Sequence, residues 1–183
     1  MRIVFAVLLA ALTGITGAVG TGLVLREQRS DANAIDVAGR QRMLSQRMSK
    51  EALIIERSGD AREALAGTAS LFDRSLTALI SGGETMGTDC EPIVPPASLD
   101  AAQAPLSEVV EIWQSFEPAV SVIADPSVSV ESSRFAQALS VVLSRNTDLL
   151  SRSNAAVVAL AVVGTLVVLA TMSSEHLALR STR

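Results

Sequence analysis

The sequence predicts an all-α protein, an up-down-up-down four-helix bundle flanked by two transmembrane helices. Three observations carry that prediction. Apolar residues recur at spacings of three and four over four long segments, the chain shows no stretch with the two-residue period of a half-buried strand, and an uncharged apolar run lies near each end. The 183 residues are 49% hydrophobic, and the mean hydropathy of +0.39 is high for a soluble domain of this size, which directs attention to membrane segments first.

The first run, Ile3 to Leu25, carries no charge and would be roughly 35 Å long as a helix, enough to span a bilayer. Met1-Arg2 and the Ala/Gly content also suit a signal peptide. The run is longer than a usual signal core, however, and more apolar sequence follows its small-residue exits, so residues 1–25 are expected to be an uncleaved anchor. From Arg26 the helical pattern continues without a breaker to about Arg57 as helix 1. Ser58-Gly59 ends it, and Asp60 with Glu63 three residues later has the spacing of a capping box.

Helix 2 then buries Ala61, Leu65, Thr68, Phe72, Leu76 and Leu79 and stops at Gly82-Gly83. The stretch to about Ser98 holds Gly87, Cys90, Pro92, Pro95 and Pro96 and reads as a distal loop. Helix 3 carries Leu106, Val109, Trp113, Phe116, Val120 and Ile123 at helical spacing; Pro118 is expected to kink or split it, and Asp125-Pro126 ends it. Helix 4 begins near Ser132, buries Phe135, Leu139, Val142, Leu149 and Leu150, and runs unbroken into the second apolar stretch, Ala155 to Met172. The expected organisation is therefore an anchor at 1–25, a four-helix domain at 26–154, a second transmembrane helix at 155–173 and a short tail at 174–183. Arg2, Arg180 and Arg183 lie on the short flanks, which favours both ends inside and the domain outside.

One segment stands out. In Ile35 to Leu53, a wheel at about 100° per residue places Ile35, Ala38, Arg42 and Ser45 on one stripe with Val37, Leu44, Met48 and Ile55 beside it. An arginine is thereby expected on the packing face, where a charge is costly unless paired. Gly39, one turn earlier, costs a helix interior about 1 kcal/mol relative to Ala, a cost that makes sense if another backbone or a ligand comes close.

The segment Ala38-Gly39-Arg40-Gln41-Arg42-Met43-Leu44-Ser45-Gln46-Arg47 resembles the signature of the PilJ-like N-terminal domain of type IV pilus methyl-accepting chemotaxis transducers. It is similar, more distantly, to the P-box of NarX-type nitrate sensors, Ala-Gly-x-x-Arg-Met-x-Ser-x-Arg. The close resemblance covers about twenty residues; beyond it the likeness is one of layout, a helical exported domain between two transmembrane helices. In the NarX type, the arginine matching Arg42 comes from both subunits of a dimer and grips one nitrate at the two-fold axis, with backbone near the matching Gly39 assisting. The resemblance thus implies a homodimer and a ligand site at Arg42, Gly39, Arg47 and Ser45. Arg40, Gln41 and Gln46 agree better with the pilus-transducer type, whose ligand the resemblance leaves open.

Other chemistries have little support. The single His176 and single Cys90 stand apart from any pair with metal-ligand spacing, so neither an enzyme nor a metal site is expected and no cofactor is implied. One cysteine permits no internal disulfide. A net charge of −4 argues against nucleic acid. Trp113, Met43 and Met48 read as packing residues. The acids of helix 3 and the bases of helix 1 are expected to neutralise one another or face solvent. Beyond Met172 only Ser173 to Arg183 remain, so output is expected from a separate transducer or kinase. Two functions follow: a sensor in the cytoplasmic membrane whose exported domain binds a small anion or solute, nitrate-like in the NarX case, or a ligand-free assembly protein that uses the bundle to bind another membrane protein.

Overall fold

The computed structural model describes residues 32–86, 91–95 and 100–181, with side chains on the last helix described to 162 and at 165. Among these residues the chain forms four helices: α1, whose described part is 32–58, α2 (Arg62–Ser81), α3 (Asp100–Ala124) and α4 (Ser133–Ser181). A minimal antiparallel pair, β1 (Thr85–Met86) with β2 (Pro92–Ile93), lies between α2 and α3. Two residues per strand are too few to leave a period in the sequence, which is why no strand was legible there.

Long-range contacts fix the topology. Gln41 of α1 reaches Phe72 of α2, Asp73 of α2 meets Trp113 of α3, Glu108 of α3 pairs with Arg152 of α4, and Arg42 and Gln46 of α1 meet Asn154 and Asn146 of α4. Each register runs opposite in its two helices, giving the expected up-down-up-down bundle. One core fills it, built on Val37, Leu44, Met48 and Ile55 of α1, Leu65, Phe72 and Leu79 of α2, all six predicted apolar residues of α3, and Phe135, Leu139, Val142 and Leu149 of α4. Phe72, Trp113 and Phe116 stack at its middle, with centroids 4.4 and 6.0 Å apart. Trp113 also donates its indole N–H to Asp73 Oδ1 at 3.0 Å, so its polar edge is satisfied. Two expected core positions, Ala61 and Leu150, are only half-buried.

Several sequence expectations are corrected. The turn after α1 has no capping box. Gly59 (φ +76°) and Ala61 (φ +74°) are both left-handed, Ala61 occupies the N-cap, and no side chain caps α2. Arg62, the next residue, holds the turn instead. Its guanidinium donates to the carbonyls of Ile123 (2.6 Å), Asp125 and Val128 (2.9 Å) and lies 5.9 Å from the Phe135 ring centroid. The left-handed cost at Ala61, about 1–2 kcal/mol, is thus borne where an arginine ties α2 to the α3–α4 connection. That connection is ordered by Asp125, whose carboxylate accepts the Ser127 N–H at 2.8 Å and hydroxyl at 2.7 Å; both bonds hold its carboxyl below the ordinary range. The Ser132 hydroxyl then accepts the Phe135 N–H at 3.2 Å and caps α4, close to where the sequence placed its start.

Pro118 does not divide α3, which is continuous through Pro105 and Pro118. Pro118 is exposed, so water can take up the carbonyl its ring leaves without a partner. The described parts of the connection between α2 and α3, 82–86 and 91–95, are also not at the far end of the bundle. Ser75 and Thr85 share a hydroxyl hydrogen bond at 3.0 Å, and Arg40 donates to the Met86 carbonyl, so the β pair sits beside the N-terminal part of α1. The turn at Gly59 and the Asp125–Ser132 connection form the opposite end. For the acids of helix 3 and the bases of helix 1 it is the solvent-facing alternative that fits: Glu108, Glu111 and Glu117 are exposed, as are Arg42, Arg47 and Lys50, with Glu108 paired to Arg152 of α4 at 2.7 Å and Arg47 to Glu51 of its own helix at 2.7 Å.

Among the described residues no helix is long and apolar enough to cross a membrane. The first expected span, Ile3 to Leu25, and Cys90 lie outside the described residues; the second span falls on α4 where most side chains do too.

Candidate functional site on the outer face of α1

The signature segment forms the middle of α1, a helix that presents different faces to different neighbours. Its buried arc holds Ala34, Val37, Gln41, Leu44, Met48, Ala52 and Ile55. Arg42 lies roughly 120° round from the centre of that arc and is exposed, not on the packing face where the stripe through Ala38 and Ser45 put it. Small residues at Ala38, Gly39, Ser45 and Ser49 blurred the phase of the wheel, so the predicted stripe was rotated from the true one.

The arginine that is buried is Arg40, only 5% exposed, which donates to the Met86 carbonyl of β1. Beside it Gln41, 2% exposed, donates to the Phe72 carbonyl of α2 at 3.0 Å while its Oε1 has no partner. Arg40 and Gln41 therefore fasten the segment to the rest of the fold. Sequence reasoning gave neither residue a role; the two-residue offset between Arg40 and Arg42, about 200° on a helix, is the signal that only one of the pair could face outward.

Of the four residues expected at a ligand site, the structure brings two to one open surface. Arg42 Nη1 donates to Asn154 Oδ1 of α4 at 3.0 Å. Gly39, one turn before it, is half-buried, and among the described residues nothing beyond its own stretch of helix comes within 4 Å of where its Cβ would stand. Packing among the described residues does not demand the glycine, which leaves a notch one turn from Arg42. Ser45 is fully buried; its hydroxyl donates to the Arg42 carbonyl at 2.8 Å and so acts on the helix backbone. Arg47 lies about 140° round α1 from Arg42, with its Nε held by Glu51, and is not brought to the same place.

Sequence reasoning missed the α4 side of this surface. Asn154 and Asn146 both turn their Oδ1 atoms toward α1, the second accepting from Gln46 Nε2 at 3.3 Å. Ser153 next to Asn154 is buried with its hydroxyl unpartnered. Exposed Met43, Leu53 and Ile54 of α1 and Leu143 of α4 add apolar area. A separate groove of about 720 Å3 between α2 and α3 is lined by Asp73, Glu117 and Asp125 around Trp113 and Val120. It has acidic walls and no basic lining residue, so it repels an anion.

A family model for the N-terminal domain of type IV pili methyl-accepting chemotaxis transducers matches residues 23–138. The chain belongs to this PilJ family. The methyl-accepting chemotaxis protein McpN of Pseudomonas aeruginosa is 31% identical over 121 residues, an alignment that spans 66% of this chain and 22% of McpN. The chain thus spans about a fifth of the length of that relative. Among solved structures, the ligand-binding domain of the P. aeruginosa nitrate receptor McpN is similar at 28% identity and a TM-score of 0.45, covering 67% of this chain and 94% of that domain. Membership places this chain with the N-terminal domains of methyl-accepting chemotaxis transducers, a sensor family and not an enzyme family.

Proposed function

We propose that this PilJ-family chain is a membrane-anchored sensor module that binds a small planar oxyanion, nitrate being the first candidate, between the α1 helices of two copies. The observation that carries the reading is the division of labour in Arg40-Gln41-Arg42: the first two are occupied by backbone carbonyls inside the fold, while Arg42 faces out beside the Gly39 notch. A lone exposed guanidinium binds a small anion weakly, because water screens the attraction. A second copy facing it supplies both the second charge and the desolvation. Two guanidinium groups about 6 Å apart repel by roughly 3 kcal/mol at an effective dielectric of 20, and an anion held between them by bidentate hydrogen bonds reverses that sign. Ligand then favours the close arrangement of the two α1 helices, and a difference in affinity between two helix spacings is what a signal through the apolar segments to a transducer or kinase partner requires.

The nitrate receptor among the relatives supports the choice of anion. The exposed Met43, Leu53 and Ile54 support a second α1 helix as the neighbour, and they equally suit the other reading, in which the same face docks a different membrane protein without ligand. Titrating nitrate into the chain in nanodiscs, with sodium nitrate replacing sodium chloride so that ionic strength stays constant, separates the two. The expected result is saturable binding accompanied by a dimer, both lost in Arg42→Ala while the melting temperature without nitrate stays put. Binding that survives Arg42→Ala, or a monomer at saturating nitrate, overturns the proposal.

A further inference from the structure

We propose that Asn154 of α4 is the positioning residue for Arg42 and sets the charge selectivity of the anion site; the inference rests on the oxyanion reading above. The geometry is a single hydrogen bond across 112 residues of sequence, Arg42 Nη1 to Asn154 Oδ1 at 3.0 Å. What distinguishes it is the chemistry of the acceptor. Two other exposed arginines meet carboxylates: Arg47 meets Glu51 and Arg152 meets Glu108, each at 2.7 Å. A carboxylate cancels the charge of its arginine and occupies the donors an anion would use. At Arg42 the fold supplies a neutral amide oxygen instead, which orients the guanidinium but leaves its positive charge whole.

A guanidinium has five N–H donors, and the bond to Asn154 uses one. The remaining edge can still take a planar oxyanion in the two-bond fork that suits it. Holding the side chain beforehand lowers the ordering cost of binding, since a free arginine has much rotamer freedom to lose. The same bond joins the site to α4. Gln46 to Asn146 is a second bridge between the two helices and lies further from the Gly39 notch. An anion that draws Arg42 toward a facing helix therefore pulls on α4 through Asn154, and α4 is the helix that runs on into the second apolar stretch. Nothing in α1 alone provides that link.

The test uses the full-length chain in nanodiscs titrated with sodium nitrate by calorimetry, comparing the unsubstituted protein with Asn154→Ala, Asn154→Asp and Asn146→Ala. With the amide removed, affinity is expected to fall about tenfold, the order of the rotamer freedom returned to Arg42, at an unchanged melting temperature without nitrate. Asn154→Asp keeps an acceptor in place but neutralises Arg42, and is expected to weaken nitrate at least about a hundredfold by placing a like charge beside the anion. Asn146→Ala is expected to leave affinity within about twofold, because its bridge does not touch Arg42. A purely structural seam between α1 and α4 predicts the reverse pattern: Asn154→Ala and Asn146→Ala lower the melting temperature alike, and the aspartate changes little. That pattern, or unaltered nitrate affinity in Asn154→Asp, overturns the inference while leaving the Arg42 reading standing. No saturable nitrate binding by the unsubstituted chain overturns both.

Discussion

The tip of the bundle and the signature segment of α1 both rely on arginine, and they use it in opposite ways. At the tip, Arg62 gives its donors to three backbone carbonyls from the end of α3 and the α3–α4 connection and rests against Phe135. In the signature segment Arg40 is spent similarly, on the Met86 carbonyl, while Arg42 two residues later keeps its charge facing outward with one bond to a neutral amide. The difference teaches that the role of an arginine here follows from what accepts its hydrogen bonds. Donors taken up by backbone make a structural tie; donors left beside a notch, uncancelled by a carboxylate, make a candidate site.

The tip offers the largest effect by which that contrast can be broken. Arg62→Ala strands three carbonyls and removes the contact that offsets the left-handed Ala61, so it should cost about 3 kcal/mol. Urea unfolding of the full-length chain in mild detergent measures it, and a loss under about 1 kcal/mol would show that the tip does not depend on the clamp.

Within the signature the contrast sharpens to two neighbouring arginines. Arg40→Ala leaves the Met86 carbonyl and a half-filled space beside β1, and should cost about 2 kcal/mol. Arg42→Ala strands no carboxylate and should change stability by no more than about 0.5 kcal/mol, while nitrate binding is expected to be lost. Equal losses in the two variants, read from the same unfolding curves, would mean that Arg42 belongs to the fold and not to a site.

How much of this was legible in the sequence depended on side-chain size. In α2 and α3, large apolar residues such as Phe72, Leu79, Trp113 and Phe116 repeat at helical spacing, so both stripes were read with little error. In α1 the signature mixes Ala38, Gly39, Ser45 and Ser49 with polar residues, and an apolar arc made of small side chains has a poorly defined direction. The wheel accordingly puts Arg42 on the packing face, whereas within this chain it is exposed. The α4 contribution was illegible for another reason: Asn146 and Asn154 gain meaning only when the register of α4 against α1 is known, and no local pattern encodes a register between helices about 110 residues apart. Arg62 was hidden likewise, because a clamp on backbone carbonyls has no sequence signature on the accepting side.

Gly39 gives the smallest effect and the most discriminating one, because its two consequences should have opposite signs. It lies in helical backbone, and the chain leaves open space where its Cβ would be. On folding alone, Gly39→Ala should therefore stabilise the chain by about 0.5–1 kcal/mol, through the reduced freedom of the unfolded state. A methyl group in the notch would nonetheless stand where a ligand or the facing α1 helix approaches, so nitrate binding and dimerisation should both weaken. Measuring the melting temperature without nitrate and the nitrate affinity of one preparation tests both signs together. A variant that is more stable and binds as well as the unsubstituted chain would show that nothing enters the notch, and the site would then have to be sought away from the Gly39 side of Arg42. A variant that is less stable would mean that α1 at Gly39 is already in close contact before any ligand arrives, and that a second copy is a standing part of the fold.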